Sequence, residues 1–107
     1  MNVVTNGHIN CDIALEGLHD VIDPEVGLNV VDMGLIYELY FEDTQKMIFV
    51  LMTLSTRFCP MGESIVDGVT NNLKTNFPGW DVEVELTFEP SWNVEMISEE
   101  GRIFLNR

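Results

Sequence analysis

Positive charge is scarce in this 107-residue chain, which has five lysine and arginine residues against 18 aspartate and glutamate residues. The formal net charge is −13. Nucleic acids and anionic membrane surfaces bind proteins through basic patches, so this composition argues against both as partners. No apolar run reaches 18 residues, and no basic segment leads into an apolar stretch at the start. Neither a membrane-spanning helix nor a secretory signal is therefore predicted.

Cysteine is also scarce, with only Cys11 and Cys59 present. Two cysteines are too few for a secreted disulfide scaffold or for a four-thiolate metal site within one chain. There is no internal repeat and no linker rich in glycine and serine, while 46% of the residues are hydrophobic, too many for a disordered acidic segment. We expect one soluble, cytoplasmic domain over residues 10–107, preceded by a flexible leader over residues 1–9.

The spacing of apolar residues predicts an α+β fold. A period of three to four residues indicates two main helices, over residues 10–22 and 60–76. Alternation indicates three strands, over residues 35–41, 47–54 and 82–88. A short C-terminal helix, capped by Asn93 and closed by Gly101, follows. The order α-β-β-α-β predicts a two-layer sandwich, in which two main helices cover one face of a three- to four-stranded sheet.

The middle predicted strand is apolar on both sides, whereas the flanking strands alternate apolar residues with acids. The sheet face away from the helices should therefore carry an apolar row between carboxylates, namely those of Glu38, Glu42, Glu83, Glu85 and Glu89. One interpretation is an ordinary solvated acidic face. The other is a partner or oligomer surface bordered by charge, which includes a homodimer.

Cys59 has the most reactive local setting in the sequence, because it lies directly before Pro60 at the start of the second predicted helix. The positive end of a helix and the nearby Arg57 both lower the pKa of a thiol and favour the thiolate. A thiolate serves metal ligation, nucleophilic attack and redox exchange. The alternative is a small capping or buried residue. Glu63 could supply an oxygen ligand or act as a general base, or more simply favour the first helical turn as an acid.

Other candidate groups are weaker. Cys11 falls on the apolar stripe of the first helix and is predicted to be a core residue. His8 and His19 are the only histidines, and neither can be assigned as the base of a cysteine–histidine pair. Asp23, Glu25 and Asp32 lie beside turns, where acids either ligate a metal or, more often, cap backbone groups. No complete catalytic constellation is visible, so we do not predict an enzyme.

Three separated motifs resemble the SufT/PaaD-type family of iron–sulfur assembly domains. Residues 21–37 carry the opening signature, Val-Ile-Asp-Pro-Glu-Val-Gly followed by Val-Asp-Met-Gly-Leu-Ile-Tyr. Residues 52–60 carry Met-Thr-Leu-Ser-Thr-Arg-Phe-Cys-Pro. The third motif runs through residues 82–86 and Glu-Pro-Ser-Trp to residues 96–100. The resemblance extends over about residues 10–105.

This resemblance implies a small α+β domain that assists the maturation of iron–sulfur proteins. It implies that Cys59 is the functional thiol, which binds iron or an iron–sulfur cluster, including transiently. Supporting roles fall on matching motif positions, which are Asp23, Glu25, Asp32, Thr53 and Thr56. The family often has proline and glycine before the motif cysteine, whereas this chain has Arg57 and Phe58. Cys11 has no counterpart in the family pattern.

The function expected from these observations is a non-catalytic assembly factor that relays iron or a cluster to client proteins. Its partners would be iron–sulfur scaffold, carrier or client proteins. One thiol per chain means that a bridged cluster needs a dimer, a partner thiol or an external thiol. Two alternatives remain open: a thiol-dependent enzyme with Cys59 as its nucleophile, and a purely structural adaptor in a multiprotein complex.

Overall fold

The computed structural model describes residues 3–57 and 61–106. These residues form a mixed four-stranded sheet, three α-helices and a short 3₁₀ helix at Val94–Met96. In chain order the strands and α-helices are β1 (Val4–Thr5), α1 (Asn10–Leu18), β2 (Ile36–Glu42), β3 (Met47–Met52), α2 (Gly62–Asn76), β4 (Asp81–Leu86) and α3 (Glu99–Leu105). The predicted α+β class and the order α-β-β-α-β with a short C-terminal helix are confirmed.

The strands lie in the order β1-β2-β3-β4. β2 and β3 form an antiparallel hairpin, while β1 is parallel to β2 and β4 is parallel to β3. The connection from β3 to β4 runs through α2, as a parallel pair requires a crossover. β3 is therefore hydrogen-bonded on both edges, which makes it the central strand of the three long ones.

One face of the sheet is buried beneath the helices. On β3, Ile48, Val50 and Met52 are buried, and the alternate residues are only half-buried. The apolar stripe predicted for α2 is confirmed, because Ile65, Val69 and Leu73 are all buried. They share one cluster with the inward residues of the sheet and with those of α1, which are Cys11, Ala14 and Leu18.

The first helix is shorter than expected and ends at Leu18 instead of residue 22. The chain beyond it turns to pair with residues 29 and 30. Val30 donates its N–H to the carbonyl of Val21 at 2.9 Å, and Ile22 forms an antiparallel bridge with Asn29. These pairings satisfy backbone groups that a longer helix would have used, and they leave Ile22 exposed.

The segment expected as a flexible leader, residues 1–9, contains a short strand. Val4 and Thr5 form β1, whose partners on β2 are Glu38 and Leu39. His8 stacks on the ring of Phe41, with 5.1 Å between the ring centroids. A strand of two residues is too short to show an alternation of apolar and polar side chains, so the sequence does not predict β1.

The C-terminal segment also differs in detail from the prediction. Asn93 caps the 3₁₀ helix, accepting the N–H of Glu95 at 2.9 Å. α3 begins later, with Ser98 as its N-cap. Gly101 does not close a helix but lies buried inside α3. A β-carbon there would lie 2.8 Å from side-chain atoms of Leu28 and Ile97, so the close approach of α3 to the core requires this glycine.

We expect Gly34→Ala to destabilise the fold by about 3 kcal/mol. Gly34 has a φ of 79°, and an added β-carbon would overlap the backbone carbonyl of Met96. Gly79→Ala is the matched control, because Gly79 has a φ of 90° but no atom within 4 Å of that position. It should cost only about 1 kcal/mol. Urea unfolding of both variants checks this, and equal losses would contradict the proposed clash.

Candidate functional site

The segment that links β3 to α2 carries the motif that contains Cys59. Residues 58–60 lie outside the described residues, so the predictions for Cys59 and Phe58 are not tested by the structure. The described residues on either side are Thr53–Arg57 and Met61 onward. The segment therefore begins where the central strand ends and leads into the 15-residue helix α2.

The start of this segment is firmly held. Thr53 is fully buried, and its N–H donates to the carbonyl of Leu35 at 2.9 Å. Leu54 is also buried, and its side chain packs directly against Gly62, the first residue of α2. Leu54 and Gly62, on either side of the undescribed residues, are thus in contact. Thr53, expected to have a supporting role, packs in the interior and forms a backbone hydrogen bond.

Arg57 supplies positive charge at this end of the sheet. Its guanidinium lies over the ring of Phe88, with 4.9 Å from the guanidinium carbon to the ring centroid. Such a contact restrains an exposed arginine by cation–π attraction. Phe88 follows β4, whose end is joined to the end of β3 by the Thr87 N–H donating to the Met52 carbonyl at 2.9 Å. Thr56 is exposed beside Arg57.

The N-terminus of α2 adds a second source of positive potential. The N-cap residue, Met61, makes no side-chain capping hydrogen bond. A helix of this length presents a partial positive charge and N–H groups at its start. Glu63 lies in the first turn and is exposed. This position suits each interpretation made for Glu63.

Asp23 organises the turn that follows α1. The side chain is 1% exposed, and its carboxylate accepts the N–H of Glu25 at 2.9 Å. The Asp23 backbone carbonyl accepts the N–H of Gly27 at 2.7 Å, and its own N–H donates to Leu28 at 2.9 Å. The residue therefore caps backbone groups, the more common of the two roles expected for an acid at a turn. Glu25 is exposed in the same turn.

Asp32 joins three distant parts of the chain. Its carboxylate accepts hydrogen bonds from the Asn29 amide and the Ser98 hydroxyl, each at 2.7 Å. The Nε2 atom of His19 lies 3.9 Å away. Burial tends to raise the pKa of Asp32, but the two hydrogen bonds and the nearby His19 outweigh it, so the pKa lies below the ordinary value of 3.8.

The structure also brings the first and third motifs together. The Tyr37 hydroxyl donates to the Pro90 carbonyl at 2.8 Å, and the Trp92 indole N–H donates to the Met33 carbonyl at 2.7 Å. Ser98, Asn29 and Tyr37 were not singled out from the sequence. Ser98 followed by Glu99 and Glu100 is a sequence pattern typical of a helix start, so the capping role of Ser98 could have been predicted. Its hydrogen bond to Asp32 could not, because the two residues are 66 positions apart.

Cys11 is a core residue, as the sequence predicts. It is 2% exposed, and its thiol lies 3.7 Å from the carbonyl of Leu39. Burial raises the pKa of the Cys11 thiol above its ordinary value. Within residues 3–57 and 61–106, no three histidine, cysteine, aspartate or glutamate side chains are grouped as a metal site. No helix in this part of the chain is long and apolar enough to cross a membrane.

The chain is similar to known proteins along most of its length. A family model described as iron–sulfur cluster assembly protein matches residues 13–86. The Fe–S protein maturation auxiliary factor SufT of Staphylococcus aureus is 38% identical over 79% of this chain and 96% of that protein. An Fe–S protein maturation auxiliary factor of Porphyromonas gingivalis is 38% identical over 82% of this chain and 83% of that protein. A solved domain of unknown function from Bacillus anthracis is 32% identical, with a TM-score of 0.83 over 89% of this chain and 90% of that one.

We expect Asp32 and Ser98 to be energetically coupled by about 1.5 kcal/mol at pH 7 in a double-mutant cycle of Asp32→Ala and Ser98→Ala. The lowered pKa of Asp32 means that the carboxylate stabilises the fold above pH 3.8, and that this contribution falls as the pH drops through its folded pKa.

Denaturant unfolding measures the coupling. Thr70→Ala is the control, because Thr70 bonds only within α2 and should be additive with Asp32→Ala. Additivity of Asp32 with Ser98 would contradict the expectation.

Proposed function

This chain belongs to the family of iron–sulfur cluster assembly proteins, and from that membership we propose that it is a maturation factor whose cargo is iron or an iron–sulfur cluster. In this proposal, Cys59 binds the cargo and client proteins receive it. The observation that carries the proposal is the family match over residues 13–86, a range that includes Cys59 and leaves out Cys11. The names of the S. aureus and P. gingivalis relatives, both Fe–S protein maturation auxiliary factors, support the same role.

The surroundings of the segment support a thiolate at Cys59. Iron prefers the thiolate over the thiol as a ligand, so binding is favoured where the proton leaves easily. Arg57 and the N-terminus of α2 both contribute positive potential next to residues 58–60 in the sequence. Elsewhere the chain is strongly acidic, with a formal net charge of −13. Arg57 and the start of α2 therefore supply positive potential to a thiolate at Cys59 in an otherwise acidic chain.

A single thiolate also suits a relay. Stable iron–sulfur clusters are held by four protein ligands, usually cysteines. One cysteine leaves the remaining positions to a partner, a second copy of the chain or an external thiol, and these can be exchanged for the ligands of a client. Glu63, in the first turn of α2, is a candidate oxygen ligand in this scheme. We propose scaffold, carrier and client proteins of the cytoplasm as the partners, and no catalysis by the chain itself.

We expect Cys59→Ser to bind little iron or sulfide after anaerobic reconstitution, whereas the parent protein binds both. Cys11→Ala is the matched control, because it removes the buried thiol and should leave binding close to that of the parent. Iron and sulfide analysis and the visible absorbance of the cluster are the measurements. Circular dichroism checks that each variant is folded.

Equal iron and sulfide contents in Cys59→Ser and the parent would overturn the ligand role of Cys59. Client maturation in cells then separates the remaining functions. If Cys59→Ser supports maturation as well as the parent does, the chain acts as a structural adaptor. If the variant fails although the parent binds no cargo, the thiol acts by another route, which includes nucleophilic chemistry.

We also expect the alkylation rate of Cys59 to rise through a midpoint below pH 8.5, the ordinary pKa of a free cysteine. Iodoacetamide should modify Cys59 in the folded protein and reach Cys11 only after unfolding, because burial both shields the Cys11 thiol and raises its pKa. Mass spectrometry identifies the modified residue. A midpoint at or above pH 8.5 in the Cys11→Ala background would argue against an activated thiol.

A further inference from the structure

The sheet face that points away from α1 and α2 has a defined arrangement of apolar and acidic residues. We call it the acidic sheet face. It consists of the outward residues of the three long strands, which are Glu38, Tyr40 and Glu42 on β2, Met47, Phe49 and Leu51 on β3, and Asp81, Glu83 and Glu85 on β4. Asp81 thus belongs to this face, whereas Glu89, expected here from the sequence, lies beyond the end of β4.

The strand register places carboxylates on both sides of the apolar row. Leu51 lies between Glu38 on β2 and Glu85 on β4. Met47 lies in the same way between Glu42 and Asp81. The middle of the face is a shallow depression of about 440 Å³, lined on β3 by Phe49 and Leu51.

Phe49 lies between Tyr40 and Glu83. Neighbouring strands are about 4.8 Å apart, so the β2 and β4 rows are separated by roughly 10 Å. That distance matches the diameter of an α-helix with its side chains, about 10–12 Å.

The charge of this face is one-sided. The face has five acids, and none of the five lysine and arginine residues of the sequence lies in β2, β3 or β4. Glu38 is oriented by the Tyr40 hydroxyl, which donates to its carboxylate at 2.6 Å. Among the described residues, the side chains of Glu83 and Glu85 have no hydrogen-bond or ion-pair partner, although their backbones pair with β3. Their carboxylates are exposed and available to a cationic partner.

This charge determines what can cover the apolar row. A second copy of the same face would bring five acids against five acids, and like charges directly opposite one another are destabilising. An uncharged apolar partner would desolvate the carboxylates without compensation. A partner with cations on both sides of an apolar centre would pair with both acidic rows and bury Phe49 and Leu51 at the same time.

We propose that the acidic sheet face binds a partner protein through an amphipathic helix whose apolar stripe is bordered on both sides by lysine or arginine. The helix lies along β3, with its apolar side chains on Phe49 and Leu51 and its cations beside Glu38, Glu83 and Glu85. This goes beyond the proposed function, which concerns Cys59. The face ends at Leu51 and Glu85, next to the start of the segment Thr53–Arg57, so a bound partner lies close to that segment.

The test uses a synthetic 18-residue helical peptide with a leucine stripe bordered on both sides by lysines. Its binding to the full chain is measured by calorimetry and by NMR shift perturbation. Glu83→Gln/Glu85→Gln should weaken binding about tenfold. Asp12→Asn/Glu16→Gln is the matched control, because it removes the same charge from exposed positions of α1 and should change affinity less than about twofold. Shift changes should fall on β2, β3 and β4.

Two control peptides separate the contributions. Replacing the lysines by glutamates should abolish binding, and replacing the leucines by serines should weaken it about tenfold or more. The proposal is overturned by equal loss in the two charge variants, by shift changes confined to α1 and α2, by failure of the lysine peptide to bind, or by self-association through this face. Each measurement is repeated with Cys59→Ser, which should bind the peptide normally, so this result is independent of the cargo experiment.

Discussion

The structure depends on one constraint, namely that two helices cover only one face of a small sheet. Ile48, Val50 and Met52 of the central strand are buried beneath the helices, together with the α2 stripe around Val69. The other side of the same strand stays half-exposed, with acids on both flanks. The core and the acidic sheet face are therefore two consequences of the same alternation. The central strand also ends where the segment that leads to Cys59 begins.

A second set of interactions holds the loops at the ends of the sheet. Asp32 binds Ser98 at the start of α3, and Tyr37 and Trp92 bind backbone carbonyls across the same gap. These contacts place the first and third family motifs together. The acids at Asp23 and Asp32 consequently serve as organisers of backbone and side-chain hydrogen bonds. The chemical contribution in the proposed function comes from Cys59, supported by Arg57 and by the N-terminus of α2.

Prediction from the sequence succeeded where local periodicity reports burial directly. The α2 stripe and the two-sided apolar character of β3 are both present, since each follows from a repeat of side-chain direction along one element. Prediction failed where the outcome depends on a partner elsewhere in the chain. α1 stops at Leu18 because the following residues pair with a later segment. Position 101 inside α3 requires glycine because the side chains of Leu28 and Ile97 leave no room for a β-carbon.

The sequence by itself determined the charge of −13, the α+β class, the family motifs and the presence of one cysteine within them. Only the tertiary structure decided which side chains meet. It paired Asp32 with a serine 66 residues away, and it placed Asp81 instead of Glu89 beside the apolar row of β3. The physical reason is that periodicity records which side of an element faces the core, whereas strand register and loop contacts arise from the packing of separate elements.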